Sequence, residues 1–291
     1  MRPKHLYPWN FLALEDTLSN YETAKAVILP IPYESTVSYG AGTRNGPQAI
    51  IAASRQVETY DQEFGAAPCN MGIATLGELE QVASGPDAMM KQIEEAAAGI
   101  LADGKFLMTL GGEHSISPPL VRAHKALYPN LSVLQFDAHT DLRPEYQGSK
   151  YSHACAMSRI WETCGFVGVG VRNFCGSENE NRALLEGRLI QAVDFHKNVD
   201  IVPNILSLLA DDVYITFDLD GLDPSVIPAV GTPEPGGLFW DETMDLIRKV
   251  SRQRRIVGAD VVELAPIPGM TYPDFAAARL AYKIMTYALW K

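Results

Sequence analysis

Short apolar runs alternate with longer amphipathic segments along most of the chain. A typical amphipathic segment covers residues 86–102, where Met89 and Ile93 fall on one helical face. Alternating strands and helices predict a mostly parallel sheet that is covered by helices on both faces. The sequence has no linker, composition break or internal repeat, so we predict a single α/β domain over residues 1–291.

The hydrophobic pattern also predicts where the elements begin and end. We expect Ser117 and Ser152 to cap the helices that follow them, since serine is a favoured N-cap residue. The predicted strands cover residues 25–30, 71–75, 105–110, 132–136, 166–171, 189–193, 213–218 and 256–262. The predicted helices cover residues 46–57, 86–102, a segment starting at 117, 152–161, 181–186, 199–209, 241–252 and 272–289.

Carboxylates and imidazoles directly follow three of the predicted strands, often at alternate positions. Alternate residues of an extended segment project to the same side, and ligands of parallel sheets bind beyond the carboxyl ends of the strands. We therefore expect these side chains to converge at one edge of the sheet. The residues are His114, Asp137, His139, Asp141, Asp218 and Asp220.

Burying these carboxylates together is unfavourable unless cations compensate their charge. Too few ligands are present for two separate ions, so some carboxylates must bridge a pair of ions about 3.5 Å apart. The donors are oxygens and two imidazoles without a thiolate, which favours Mn²⁺ over a structural zinc site. The sequence therefore predicts a site for two divalent cations.

Composition narrows the class of partner. The chain is 47% hydrophobic, and 24 Lys and Arg against 35 Asp and Glu give a net charge of −11. That charge argues against nucleic acid and is compatible with a cationic substrate. The four cysteines form no CxxC pair, so we expect reduced thiols. Neither a signal-peptide pattern nor a run of about 18 apolar residues is present, and we therefore expect a cytoplasmic protein that does not cross membranes.

Three motifs resemble the signatures of the ureohydrolase family, which includes arginases and agmatinases. They are Leu-Gly-Gly-Glu-His-Ser-Ile-Ser at 110–117, Phe-Asp-Ala-His-Thr-Asp at 136–141 and Thr-Phe-Asp-Leu-Asp-Gly-Leu-Asp-Pro at 216–224. The resemblance extends from about residue 25 to the C-terminus. It implies a three-layer αβα fold with a parallel eight-stranded sheet, two Mn²⁺ ions per subunit and a homo-oligomer, either a trimer or a hexamer.

The resemblance also implies which residues hold each ion. Asp137 and Asp218 would bridge the two ions. The first ion would be held by His114, Asp137, Asp141 and Asp218, and the second by Asp137, His139, Asp218 and Asp220.

Further roles follow from the motif matches. His153 resembles the loop histidine that passes protons to the leaving amine, and Asp141 would accept the proton of the attacking water. Glu263 resembles the carboxylate that pairs with the substrate guanidinium. Glu113 stands where relatives commonly have Asp, and we interpret it as structural; Asp260 is interpreted in the same way.

Agmatine is the substrate that the resemblance favours. The loop at 142–151 and the Ser-His-Ala that follows resemble the agmatinase branch, and Glu145 would favour a terminal amine. Arg143 could instead pair with the carboxylate of 4-guanidinobutyrate. Trp240 and Tyr272 are candidates for the mouth of the pocket, although core packing is the favoured role for Trp240.

Other functions remain open at this point. Arginine and formimidoyl-glutamate are alternative substrates within the same enzyme class. A metal-bound scaffold without catalytic activity is the alternative of another class, although all the residues of the implied site are present.

Overall fold

The computed structural model describes residues 6–183, 185, 187–198 and 200–290. Its centre is one parallel sheet of eight strands, in the order β2-β1-β3-β8-β7-β4-β5-β6. The predicted α/β class and the eight-stranded parallel sheet are therefore confirmed. The strands are β1 (Ala26–Ile31), β2 (Ile73–Thr75), β3 (Phe106–Gly111), β4 (Leu131–Phe136), β5 (Phe166–Val171), β6 (Leu189–Gln191), β7 (Asp212–Asp218) and β8 (Arg255–Val262).

Helices cover both faces of this sheet and complete three layers. Within the described residues, they are α1 (Gly46–Ser54), α2 (Pro86–Ala102), α3 (Ser117–Leu127), α4 (Ala156–Trp161), α5 (Asn179–Ala183), α6 (Ala192–Lys197), α7 (Ile201–Leu208), α8 (Trp240–Gln253) and α9 (Tyr272–Leu289). None of the helices described here is both long and apolar enough to cross a lipid bilayer.

The strands divide the apolar core into two parts because successive side chains point to opposite faces. On β1, Ile28 belongs to one hydrophobic cluster and Val27 belongs to the other. Helices α1, α8 and α9 contribute to the first cluster, whereas α2, α3 and α4 contribute to the second. Apart from Arg255 on β8, the central strands β3, β4, β7 and β8 are buried at every position, as expected for a sheet that is covered on both faces.

Most predicted boundaries lie within three residues of those observed, and α2 and α9 match at both ends. The strand predicted at 189–193 is wrong at its end, because residues from Ala192 onward form α6, which was not predicted. The predicted helix at 181–186 is observed as α5, and its positions 184 and 186 lie outside the described residues. Position 199, the predicted start of α7, also lies outside them.

The predicted serine caps are wrong. A short 3-10 helix precedes each of the two α-helices. Ser117 follows the first of these 3-10 helices, and Ser152 holds the N-cap position of the second. Ser117 is the first residue of α3 and makes no capping hydrogen bond, and Ser152 makes none either. The hydroxyl oxygen of Ser117 instead lies 3.2 Å from that of Thr216 on strand β7.

Candidate metal centre

Four strands at the middle of the sheet deliver the candidate ligands. Strands β3, β8, β7 and β4 are consecutive neighbours, and all run in the same direction. Their carboxyl ends therefore meet at one edge, where ligands of parallel sheets usually bind. His114 follows β3, Glu263 follows β8, Asp218 ends β7 and Asp137 follows β4.

The imidazole of His114 is surrounded by carboxylates. Its Nδ1 lies 3.2 Å from Asp137 Oδ2, 3.1 Å from Asp141 Oδ2 and 3.4 Å from Asp218 Oδ2. The His114 residue and the Asp137 residue are completely buried, and the other two carboxylates are nearly so. Water therefore cannot screen the repulsion among three carboxylates that share one small space.

The contacts of Nε2, the other ring nitrogen of His114, show which of the two nitrogens carries the proton. Nε2 lies 2.9 Å from Oγ1 of Thr216, and that hydroxyl donates to Asp260 at 2.8 Å. A hydroxyl that donates to a carboxylate must accept from the imidazole, so Nε2 carries the proton. Nδ1 then has no hydrogen bond among the described residues and points its lone pair at three acceptors. A divalent cation fits this arrangement, because it can bind the lone pair of Nδ1 and the three carboxylates at the same time.

A second cluster adjoins the first. Nδ1 of His139 lies 2.9 Å from Asp220 Oδ2 and 3.6 Å from Asp137 Oδ1. Asp137 thus presents Oδ2 to one cluster and Oδ1 to the other, which is the geometry expected of a bridging ligand. The ligand atoms of His114, Asp137 and Asp218 all lie within 4.8 Å of one another, and those of Asp137, His139 and Asp220 do as well.

The pKa values of the cluster reflect its excess of negative charge. Burial raises the pKa of Asp218 well above its ordinary value, and the nearby carboxylates raise it further. Burial lowers the pKa of His139, but the charge of Asp220 and the bond to Asp137 outweigh burial and raise that pKa to about 12. Protons on such groups compensate the negative charge, and a cation that takes their place releases them.

Two residues of the site have left-handed backbone conformations. The φ angle is +49° at Asp141 and +67° at Glu263, although neither residue is glycine. Such conformations cost free energy and are concentrated at functional sites. Here they accompany two side chains that lie at the wall of the cavity beside the candidate ligands.

The carboxylate of Glu263 is fixed by the backbone of a candidate ligand. Its Oε1 accepts the N–H of His114 at 2.7 Å, and its other oxygen makes no hydrogen bond within the described part of the chain. Burial raises its pKa well above the ordinary value, against the effect of the His114 N–H. A buried carboxylate with one unused oxygen can bind a cationic donor group.

The two acidic residues that we interpreted as structural lie behind the centre. Glu113 is completely buried and accepts hydrogen bonds from Ser35, Thr36 and Ser115 rather than facing the ligand clusters. Asp260 accepts hydrogen bonds from Thr216 and from Tyr214, each at 2.8 Å.

A cavity of about 320 Å³ opens over the candidate ligands. It is lined by four carboxylates of the predicted site and by His139, His153 and Arg143. The guanidinium carbon of Arg143 lies 4.1 Å from the ring centre of Tyr146, so the cation stacks on an aromatic wall. The four carboxylates are Asp141, Asp218, Asp220 and Glu263.

Three other residues considered for the mouth lie away from this cavity. Glu145 is exposed and is not part of the wall. Trp240 packs against the core, as its favoured interpretation expected, and Tyr272 is 56% exposed outside the cavity. The interpretation of Tyr272 as a mouth residue is therefore wrong for this structure.

Sequence reasoning missed several residues of the site. Glu178 is buried at the cavity wall, where it accepts the N–H groups of Leu142 and Cys175. Arg172 donates to the carbonyl oxygen of Asp220 at 2.7 Å and so anchors a ligand-bearing loop. Their partners are distant in sequence or lie in an irregular loop, and no local pattern marks them.

Comparison with known proteins agrees with this geometry. A sequence profile described as the arginase family matches residues 24–287. The chain belongs to the arginase family. Similar relatives include N(1)-aminopropylagmatine ureohydrolases from Synechocystis sp., 38% identical over 96% of this chain and 94% of the relative, and from Thermus thermophilus, 42% identical over 90% of this chain and 89% of the relative.

A solved structure extends the similarity from sequence to fold. The agmatine ureohydrolase of Thermoplasma volcanium superimposes with a TM-score of 0.87 at 31% identity, over 98% of this chain and 95% of that protein. The three-layer fold that the motifs implied is therefore confirmed. As a member of the arginase family, the protein is a ureohydrolase that acts on guanidino compounds.

Proposed function

We propose that the protein hydrolyses the guanidino group of a linear cationic amine, with agmatine giving putrescine and urea as the leading case. The reaction would take place at a centre of two Mn²⁺ ions. By the geometry described above, their ligands would be His114, Asp137, His139, Asp141, Asp218 and Asp220.

The main support for this choice of substrate is the charge of the cavity wall. Five acidic residues line its wall, and Arg143 is the sole arginine or lysine in it among the described residues. Two bound divalent cations would balance the charge of the four aspartates in the ligand set, but Glu178 and Glu263 lie on the wall outside that set. A substrate with a second positive charge is therefore favoured over one with a carboxylate.

Glu263 and the metal ions would have separate roles in the reaction. The guanidinium would pair with Glu263, whose fixed Oε1 and unused second oxygen suit a planar cation. When bound, the metal ions would lower the pKa of a water and stabilise the negative charge that develops in the reaction. The strained backbone of Glu263 would hold its carboxylate in place during this step.

Proton transfer would fall to two further residues. Asp141 lies on the cavity wall beside His114 and would accept a proton as water adds to the guanidinium carbon. His153 also lies on the wall and would donate a proton to the departing amine nitrogen as the carbon–nitrogen bond breaks. The products would be urea and the free amine.

N(1)-aminopropylagmatine is a second candidate substrate, and it differs from agmatine by an added aminopropyl group. Two of the relatives that carry this name are 38% and 42% identical to the chain. The cavity also supplies a second acidic region, because Glu178 and the 84% exposed Tyr39 line it together with the metal-centre residues. An additional ammonium group would find a carboxylate and an aromatic ring there.

The remaining alternatives are weaker on the same grounds. 4-Guanidinobutyrate, arginine and formimidoyl-glutamate all carry a carboxylate, and Arg143, which stacks on Tyr146, is the one arginine or lysine of the described cavity wall that could pair with it. The scaffold hypothesis gains no support, because the chain retains every residue of the implied site.

Urea release tests the proposal. The protein would be stripped with a chelator, reloaded with Mn²⁺ and assayed for urea with agmatine, N(1)-aminopropylagmatine, arginine and 4-guanidinobutyrate. Formimidoyl-glutamate would be assayed for formamide, because its formimidoyl group cannot yield urea. We expect the highest kcat/KM for one of the two cationic amines, and no activity in the stripped protein. Higher kcat/KM for a carboxylate substrate would overturn the substrate assignment, and silence of the whole panel with metal bound would favour the scaffold.

We propose in addition that the protein forms a homo-oligomer, a trimer or a hexamer, as the family resemblance implies. Sedimentation velocity of the Mn²⁺-loaded protein tests this assembly. A single species at the mass of one chain, 31.9 kDa, would contradict it.

A further inference from the structure

His153 lies in contact with a loop from the N-terminal part of the chain. Its backbone N–H donates to Oγ1 of Thr36 at 2.9 Å, and its ring Nδ1 lies 3.2 Å from the same oxygen. Thr36 is 117 residues away in sequence, in the irregular loop between β1 and α1. One hydroxyl therefore contacts both the backbone and the ring of the residue to which proton donation is assigned.

The hydrogen-bonding capacity of Thr36 decides which ring atom carries the proton. A hydroxyl has one hydrogen to donate and two lone pairs. The hydrogen is directed to Oε1 of Glu113, at 2.7 Å. One lone pair accepts the N–H of His153, so the second can only accept a proton from Nδ1. The ring is thereby held with its proton on Nδ1, which leaves Nε2 as the atom that exchanges protons.

Glu113 is itself held firmly enough to orient that hydroxyl. Its Oε2 accepts the backbone N–H groups of Ser35 and Thr36, both at 2.6 Å, and Oε1 also accepts the hydroxyl of Ser115. The loop approaches so closely that a Cβ at Gly112 would lie 1.9 Å from the carbonyl oxygen of Tyr33. The carboxylate and the loop therefore form one rigid unit.

We propose that Thr36, oriented by Glu113, is a positioning residue that fixes the ring orientation and the tautomer of His153. This proposal rests on the proposed function, because it needs His153 to transfer a proton. The loop that contains Thr36 holds none of the predicted metal ligands, and its proposed role is to position His153. The proposal also explains why Glu113, adjacent to His114, points away from the ligand clusters.

Substitution of Thr36 tests the role, because changes at Glu113 would also disturb His114. Thr36→Val keeps the shape of the side chain and removes the hydroxyl, whereas Thr36→Ser keeps the hydroxyl. General acid catalysis contributes about 10²–10⁴-fold to a rate, so partial loss of its geometry should lower kcat by roughly 10-fold to 100-fold in Thr36→Val. We expect KM and metal content to stay within twofold, and Thr36→Ser to retain most of the activity.

Ser152 provides a matched control. Its hydroxyl also lies near the ring, at 3.4 Å from Nδ1, a longer contact than that of Thr36. If Thr36 is the partner that matters, Ser152→Ala should keep kcat within about twofold, since a 3.4 Å contact is weak. A larger loss in Ser152→Ala than in Thr36→Val would transfer the role to Ser152 and overturn the proposal.

A double-mutant cycle separates positioning from general damage to the site. In a His153→Asn background, Thr36→Val should cause no further loss, because a residue that acts through His153 has nothing left to position. An equal loss in both backgrounds would overturn the proposal. If the activity of His153→Asn is too low to measure, the comparison of Thr36→Val with Thr36→Ser decides. Equal kcat values in these two variants and the wild type would overturn the proposal.

Failure of the proposed function would look different. If the wild-type protein releases no urea from any guanidino compound, the proposed function is wrong. A fully active protein with an inactive His153→Asn variant and an unaffected Thr36→Val variant leaves the activity intact and removes only the role of Thr36.

Discussion

Two buried clusters of charged residues in this protein differ in how their charge is compensated. Around Lys283 on α9, Nζ lies 2.9 Å from Asp61 and 3.1 Å from Glu63, and Arg248 lies near the same glutamate. At the candidate metal centre, four aspartates surround two histidines, and one imidazole nitrogen has no hydrogen-bond partner within the described ranges.

The difference shows how a structural cluster can be told from a binding site. The Lys283 cluster contains its own cations, so folding alone satisfies its carboxylates. The metal centre brings carboxylates together with imidazoles rather than with lysine or arginine, so folding leaves the charge to be compensated from outside. Unsatisfied charge at the carboxyl ends of four central strands is what makes the second cluster a site.

Removing a candidate bridging ligand should have the largest effect. We expect Asp218→Ala to lose Mn²⁺ and to lower kcat by at least about 10³-fold, because bound metal contributes several kcal/mol to the transition state. The metal-free variant should be no less stable than metal-free wild type, since one repelling carboxylate is gone. Metal analysis, urea release and denaturant unfolding measure the three quantities, and full metal content would refute the ligand assignment.

Glu263→Gln should separate substrate binding from metal binding within the same site. The amide cannot provide the charge-assisted bonds that a guanidinium makes with a carboxylate, so we expect kcat/KM to fall about 100-fold. Metal content should be unchanged, because Glu263 contacts the backbone of His114 and not its ring. Wild-type turnover in this variant would remove Glu263 from the mechanism.

Lys283→Met should break the compensated cluster. It leaves the buried carboxylate of Asp61 without a cation, and the free energy of unfolding should fall by about 3 kcal/mol. The control is Lys249→Met, because Lys249 forms an exposed pair with Asp245 whose loss should cost less than about 1 kcal/mol. Chemical denaturation of the Mn²⁺-loaded proteins measures both, and neither change should alter kcat.

His124 differs from both clusters, because it is buried without a compensating charge and stays neutral. Burial lowers its pKa to about 4, and Nδ1 lies 2.7 Å from the carbonyl oxygen of Leu120. The unfolded chain, with a pKa near 6.5, binds the proton more readily. The stability that His124 contributes is therefore complete above about pH 6.5 and declines as the pH falls toward 4.

This pH dependence gives the smallest of the expected effects. Between about pH 7.5 and pH 5, protonation of His124 in the unfolded chain should lower the free energy of unfolding by about 2 kcal/mol. His124→Gln removes the titrating group, so the difference between variant and wild type isolates it from the metal centre. Parallel pH profiles in the two proteins would contradict the assignment.

Sequence reasoning identified the ligand-bearing strands because their signals are local. Alternating donors after an apolar run, such as those of 137–141, need only the period of a strand and the rule that parallel strands end together. Helices α2 and α9 were predicted at both ends, and each has a proline in its first turn. Local signals were thus sufficient for the sheet and for the convergence of these donors at one of its edges.

The parts that were missed depend on contacts between distant segments. Thr36 meets Glu113 across 77 residues, and Arg172 meets Asp220 across 48. No period or spacing in the chain marks such pairs. Neither Ser117 nor Ser152 makes a capping hydrogen bond. A 3-10 helix precedes Ser117, and Ser152 holds the N-cap position of another 3-10 helix without bonding to it.

The left-handed backbones of Asp141 and Glu263 have a consequence for protein engineering. Glycine adopts this conformation without the penalty of a Cβ atom, so Asp141→Gly and Glu263→Gly would relieve strain and remove a buried carboxylate at the same time. In metal-free protein, a directed-evolution campaign that selects for thermal tolerance alone would favour such changes, and by the roles proposed above for Asp141 and Glu263 it would yield stable variants without activity. Screens on this scaffold therefore need turnover as a criterion from the first round.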